Sequence, residues 1–169
     1  MKKRINWSLV LILIFILINT FIVSASDSAT QDISITVEAI NEISVSSGNV
    51  DLVINAANAN ISAGQALFSV SDNSTTMSYT TNESNKKISA SLDSKFTDIV
   101  LKINVTPNSN NSVTTHGDVI LSIIPTDILT GINNASDADM VTTYTAEIQP
   151  TVSPNSVEVH TVTFTLTDA

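Results

Sequence analysis

Residues 161–167 read TVTFTLT. Val162, Phe164 and Leu166 fall on one side of an extended chain, and Thr161, Thr163, Thr165 and Thr167 on the other. Successive side chains of a strand point to opposite faces, so this period of two describes a ribbon with one buried and one wetted face. Threonine suits the wetted face: its β-branch favours extended backbone and its hydroxyl stays solvated.

The same period recurs outward from there. DIVLKINV (98–105) puts Ile99, Leu101, Ile103 and Val105 in phase, and KKISASL (86–92) does so with Ile88, Ala90 and Leu92. TTMSYTT (75–81) offers Met77 and Tyr79, ALFSV (66–70) offers Ala66, Phe68 and Val70, VDLVINA (50–56) offers Val50, Leu52 and Ile54, and EISVS (42–46) offers Ile43 and Val45. The turn-rich NESN between residues 81 and 86 makes its two flanking runs read as a hairpin. DVILSII (118–124) is apolar on both faces and reads as a central strand, whereas TDILTGI (126–132) reads as a short helical turn over an edge. MVTTYTAEIQ and SVEVHTVTFTLTD finish the chain, the latter as one long closing strand over 157–167. Eight to ten short strands and no amphipathic helix predict an all-β chain. The expected architecture is an immunoglobulin-like β-sandwich, either complete or completed by a donor strand.

The first 25 residues are set apart from this pattern. Lys2, Lys3 and Arg4 precede an apolar run from Leu9 to Val23 that only Asn19 and Thr20 interrupt, and VSA (23–25) ends it. Positive charge, apolar core and small-residue cut site predict a secretory signal peptide over 1–25. The expected organisation is that signal, an N-terminal extension over 26–40 and a sandwich domain over 41–169. The part beyond residue 25 has 169 − 25 = 144 residues, enough for one core. It carries 16 acidic residues and four lysines, Lys86, Lys87, Lys95 and Lys102, so its net charge is 4 − 16 = −12. So acidic a surface repels phosphate backbones and argues against nucleic acid as a partner. With no cysteine, an exported chain must be held by core and hydrogen-bond ladders rather than disulfides. Ser, Thr and Asn supply 21, 20 and 15 of the 144 residues, so chance accounts for most of the Asn-x-Ser/Thr sequons at Asn60, Asn73, Asn82, Asn104, Asn110 and Asn134, which matter only in a host that N-glycosylates.

Little in the chain points to chemistry. His116 lies in a polar loop, and His160 shares the inward parity of Val162 at the rim of a core. Two separate histidines do not make a zinc site, and no nucleophile elbow is present. Asp137 and Asp139, with Asn133 and Asn134, form an oxygen-rich loop that calcium could occupy, but the spacing is not that of an EF-hand. The one tryptophan, Trp7, lies in the signal, which leaves no visible aromatic platform for a sugar. The expectation is a non-enzymatic protein without a cofactor. After cleavage, nothing in the sequence attaches it to a membrane.

Residues 30–40, TQDISITVEAI, present Ile33, Ile35, Val37 and Ala39 on one face at the start of the processed chain. This ribbon opens a series of short matches. DISITVEAINEI resembles the alternating first strand and bend of the major subunits of alpha-type (class 5, colonization-factor) fimbriae, built by the alternate chaperone–usher route. YTTNESNKKISASLDS resembles that family's lysine-bearing hairpin, VILSIIPTDIL its VLST-like strand, and VHTVTFTLTDA its closing strand of alternating aliphatics. The resemblance runs through the processed chain in order.

It implies an immunoglobulin fold lacking its last strand, filled by the N-terminal segment of the next copy. Here Ile33, Ile35, Val37 and Ala39 would be the inserted side chains and 26–29 a flexible lead. The implied partners are other copies of the chain, a periplasmic chaperone and an usher, and the implied place is a surface fimbrium active in adhesion. The chain departs from the family in its few aromatics and in a closing strand that looks complete. The alternative expectation is therefore a self-contained, immunoglobulin-like binding or matrix module on the cell surface, stabilised by calcium.

Overall fold

A computed structural model describes residues 28–169 apart from 47, 58, 60, 61, 110, 111, 155 and 156; the expected signal peptide lies outside the described residues. Two compact units emerge, Met1–Thr36 and Val37–Ala169. Of the first, only 28–36 is described, as extended chain without strand pairing.

The second unit is a β-sandwich of nine strands among the described residues. They are β1 (Asn41–Val45), β2 (Phe68–Thr81), β3 (Lys86–Leu92), β4 (Ile99–Thr106), β5 (Thr114–Thr115), β6 (Val119–Ile120), β7 (Thr126–Ile132), β8 (Ser136–Ile148) and β9 (Val162–Asp168). One sheet has the order β1-β2-β8-β4-β6 and the other β5-β7-β3-β9, with every neighbouring pair antiparallel. Met77 and Met140 from the first sheet and Ile88, Leu129 and Ile132 from the second are fully buried between the layers, beside Ile103 of β4. Each such side chain contributes roughly 1.5–3 kcal/mol of burial.

Several expectations change in the tertiary structure. The runs around NESN are not a hairpin: β2 and β3 lie in different sheets, and 82–85 carries the chain from one layer to the other. Both runs face the shared core, so their parity is right while their partners are β1 and β8 for β2, and β7 and β9 for β3. Asn85 takes φ 57° at the crossover, a left-handed conformation that asparagine tolerates. TDILTGI is no helical turn but β7, an inner strand of the second sheet. Its β-branched residues favour extended backbone, and register shifts against β3 bury both Ile128 and Leu129.

DVILSII, expected as a central strand, is the short edge strand β6 (Val119–Ile120), followed by single backbone bonds from Leu121 to Leu101 and from Leu92 to Ser122, and leaves Ile123 and Ile124 exposed. VDLVINA keeps the alternating burial of a strand at 50–54 but joins no ladder; Leu52 and Ile54 pack on the core. The closing strand is seven residues, not the expected run over 157–167.

Candidate functional site

The N-terminal ribbon carries a run of exposed aliphatic groups spaced by two. In the first unit Ile33 is 77% and Ile35 83% exposed; in the second, Val37 is 76% exposed, Ala39 is open and Ile40 is 46% exposed. Its base is held by one residue, Asn82, through side chain and backbone. Asn82 Oδ1 accepts the Ile40 N–H at 2.8 Å, and Asn82 Nδ2 donates to the Glu38 carbonyl at 2.7 Å. The Asn82 N–H also donates to the Ile40 carbonyl at 3.2 Å. An asparagine can imitate a strand neighbour in this way because its amide has both a donor and an acceptor. The three bonds fix 38–40 beside the β2–β3 crossover. No pattern in the sequence singled Asn82 out from the other asparagines.

The sandwich is unevenly covered along its sides. β9 ends its sheet and pairs only with β3, across Leu92–Val162, Ala90–Phe164 and Ile88–Leu166. The β3 members are buried, whereas the β9 members are only half covered. The same step occurs in the other sheet, where Met77 and Tyr79 are buried and their β1 partners Val45 and Ile43 are exposed and half-buried. β1 and β9 approach one another on the same side of the sandwich. Core is therefore less covered between these two edges, neither of which has a further strand neighbour among the described residues.

The two ends of the sandwich differ as well. At the end where β2 and β9 finish and β3 and β8 begin, the surface is polar: Asn82, Glu83, Ser84, Asn85, Asn133, Asn134 and Asp168. Lys86 there bonds Asp168 at 2.6 Å and Glu83 at 2.7 Å. At the opposite end, Leu67, Val100, Ile123, Ile124, Val157 and Val159 are all exposed. Between the start of β4 and the end of β3 this end opens into a cleft of about 220 Å³. Leu92, Phe96, Ile99, Leu101 and Leu121 line it, with Lys95 among them. Lys86, Lys87 and Lys102 are ion-paired, the last with Glu147 at 2.7 Å. Lys95 makes no ion pair among the described residues.

Beside the cleft, His160 stacks edge-on against Phe96 with ring centres 4.1 Å apart, consistent with the expected rim position. Its Nδ1 meets both Ser94 Oγ at 2.8 Å and Asp93 Oδ1 at 3.1 Å, and its Nε2 faces Glu158 Oε2 at 3.4 Å. Hydrogen bonds from the Thr161 backbone, from Ser94 and from His160 hold the Asp93 carboxyl below its ordinary value. Ser94 and Asp93 share one ring nitrogen while Glu158 faces the other, so the imidazole is held from both sides. The cluster ties the chain before β9 to the loop after β3. His116 lies exposed, its Nε2 3.1 Å from Thr130 Oγ1.

The oxygen-rich loop has a structural employment. Asp137 is buried, and its Oδ2 accepts from the Asn108 N–H at 3.1 Å, the Ser109 N–H at 3.0 Å and the Ser109 hydroxyl at 2.9 Å. Asp139 is exposed, with φ 54°. Among the described residues no three acidic or histidine side chains converge as metal ligands would.

No protein family matches the chain, and neither does any curated protein or solved structure.

Proposed function

We propose that the protein is an exported structural subunit that polymerises into a surface filament by lending its N-terminal ribbon to the next copy. The observation that carries the reading is the exposure of Ile33, Ile35 and Val37, spaced by two. An extended segment of this kind is stable only where a sheet shelters it. Adding it to a strand edge gives main-chain bonds for affinity and alternate side-chain pockets for register. Three large aliphatics at ~1.5–3 kcal/mol each amount to roughly 5–9 kcal/mol of gross burial. The half-covered side chains of β1 and β9 support the acceptor half of the reading, since a strand laid there would complete the core.

Size-exclusion chromatography of the processed chain, with and without residues 26–40, tests this. The intact form runs as a ladder of oligomers that resists mild detergent, and the shortened form runs as a monomer. Ile35→Asp abolishes the ladder without impairing export. An intact form that stays monomeric at all concentrations defeats the reading.

A further inference from the structure

The ribbon has a second face. Glu38 and Ile40 lie two residues apart, so in extended chain they share a side, opposite to Ile33, Ile35, Val37 and Ala39. Ile40 is half exposed although the Asn82 clamp holds its backbone. An apolar group and a carboxylate therefore stand together at the polar end of the sandwich. The other end holds the counterpart: an apolar cleft beside the one lysine that has no partner among the described residues.

At about 220 Å³ the cleft is smaller than the ~300–1,000 Å³ typical of small-molecule sites, and it suits one or two side chains. Its lining is aliphatic and aromatic, and exposed Val100, Ile120 and Ile123 extend it outward. In a chain of such acidity a free cation on an apolar cleft selects an acidic, aliphatic partner.

We infer that this cleft docks the base of a second copy's N-terminal ribbon, seating Ile40 in the cleft and pairing the Glu38 carboxylate with Lys95. This rests on the reading that the ribbon engages another copy, and it adds an end-to-end contact between bodies to the strand exchange. The two surfaces are at opposite ends of one molecule. The contact is therefore heterologous and head-to-tail, and repeated without closure it generates a filament. It also gives the two faces of the ribbon separate duties, one for a sheet edge and one for the cleft.

Charge exchange tests the pairing in the processed full chain. Lys95→Glu and Glu38→Lys lie on exposed positions, and circular dichroism checks that each variant keeps its fold. Each reversal alone is expected to weaken self-association at least about tenfold in sedimentation velocity, because like charges then meet across the contact. The double exchange restores it. Oligomers unchanged in both single variants but lost in Ile35→Asp overturn this docking and leave the filament reading standing. A loss that the double exchange does not restore overturns the Glu38–Lys95 pair. A chain monomeric throughout overturns both readings.

The absence of cysteine allows an independent check. Ile40→Cys with Ile123→Cys is expected to give a ladder of disulfide-linked oligomers on oxidation, which neither single variant gives. The two positions stand at opposite ends of strands ~3.3 Å per residue long, beyond disulfide reach within one copy. No ladder from the double variant counts against the docking.

Discussion

β3 and β9 are neighbours in one sheet, paired residue for residue, with the same alternation of aliphatic and hydroxyl side chains. Yet Ile88, Ala90 and Leu92 are at most 6% exposed, while Leu166, Phe164 and Val162 opposite them are half covered. Chemistry does not distinguish the strands; the number of neighbours does. β3 has β7 on its other side, and β9 has no second strand neighbour among the described residues. A similar step separates β2 from β1. The described molecule thus has a tight interior and a flank, formed by β1 and β9, whose inward side chains are less covered.

The largest effect should come from breaking the tight side. Ile88→Ala is expected to cost about 2–5 kcal/mol in urea unfolding, since the surroundings of a fully buried isoleucine relax only partly into the space. Leu166→Ala, directly across, is expected to cost less than half as much in the monomer. Equal costs would mean that β9 is as enclosed as β3. The gap should narrow in assembled oligomers if a neighbour's ribbon covers Leu166.

A smaller loss, roughly 1–2 kcal/mol, is expected for Asp137→Ala, which removes the acceptor of two part-buried amides and a hydroxyl in the loop after β4. Thermal melts with and without calcium sharpen the point. The wild-type and the variant should differ by the same amount in both, because the carboxylate oxygen is engaged by the protein's own donors. A calcium-dependent difference would return Asp137 to the role of ligand.

The smallest expected effect concerns the lysine that joins β3 to β9 at the polar end. Ion pairs with Asp168 and Glu83 raise the Lys86 pKa above its ordinary 10.5. A bond from Asn41 and the Lys86 charge lower Glu83 below its ordinary 4.5. The raised lysine contributes fully below its ordinary value and loses that contribution as pH rises through the raised one. The depressed glutamate contributes fully above its ordinary value and loses it as pH falls through the depressed one. A plateau of melting temperature across the middle of the range, with Lys86→Met blunting the alkaline decline, is the expected result. Because Asp168 is exposed and Glu83 half-buried while Lys86 is buried, added salt should shrink the amplitude only in part.

What the sequence determined alone was the period of two, and through it the class of fold and most of the buried set. Met77, Ile88, Ile103 and Val105 could be assigned to the interior because parity is a local property of extended chain. Partnership is not local. The NESN segment looks like a hairpin turn, but its flanking strands found other neighbours because the second sheet could be built only by crossing. TDILTGI became an inner strand for want of any other cover for β3, and DVILSII lost its central place when the chain left β6 after two paired residues to reach the second sheet. Asn82, Lys95 and the cleft were invisible in the linear chain for the same reason. Each is defined by groups drawn from distant segments, and only packing decides which segments meet.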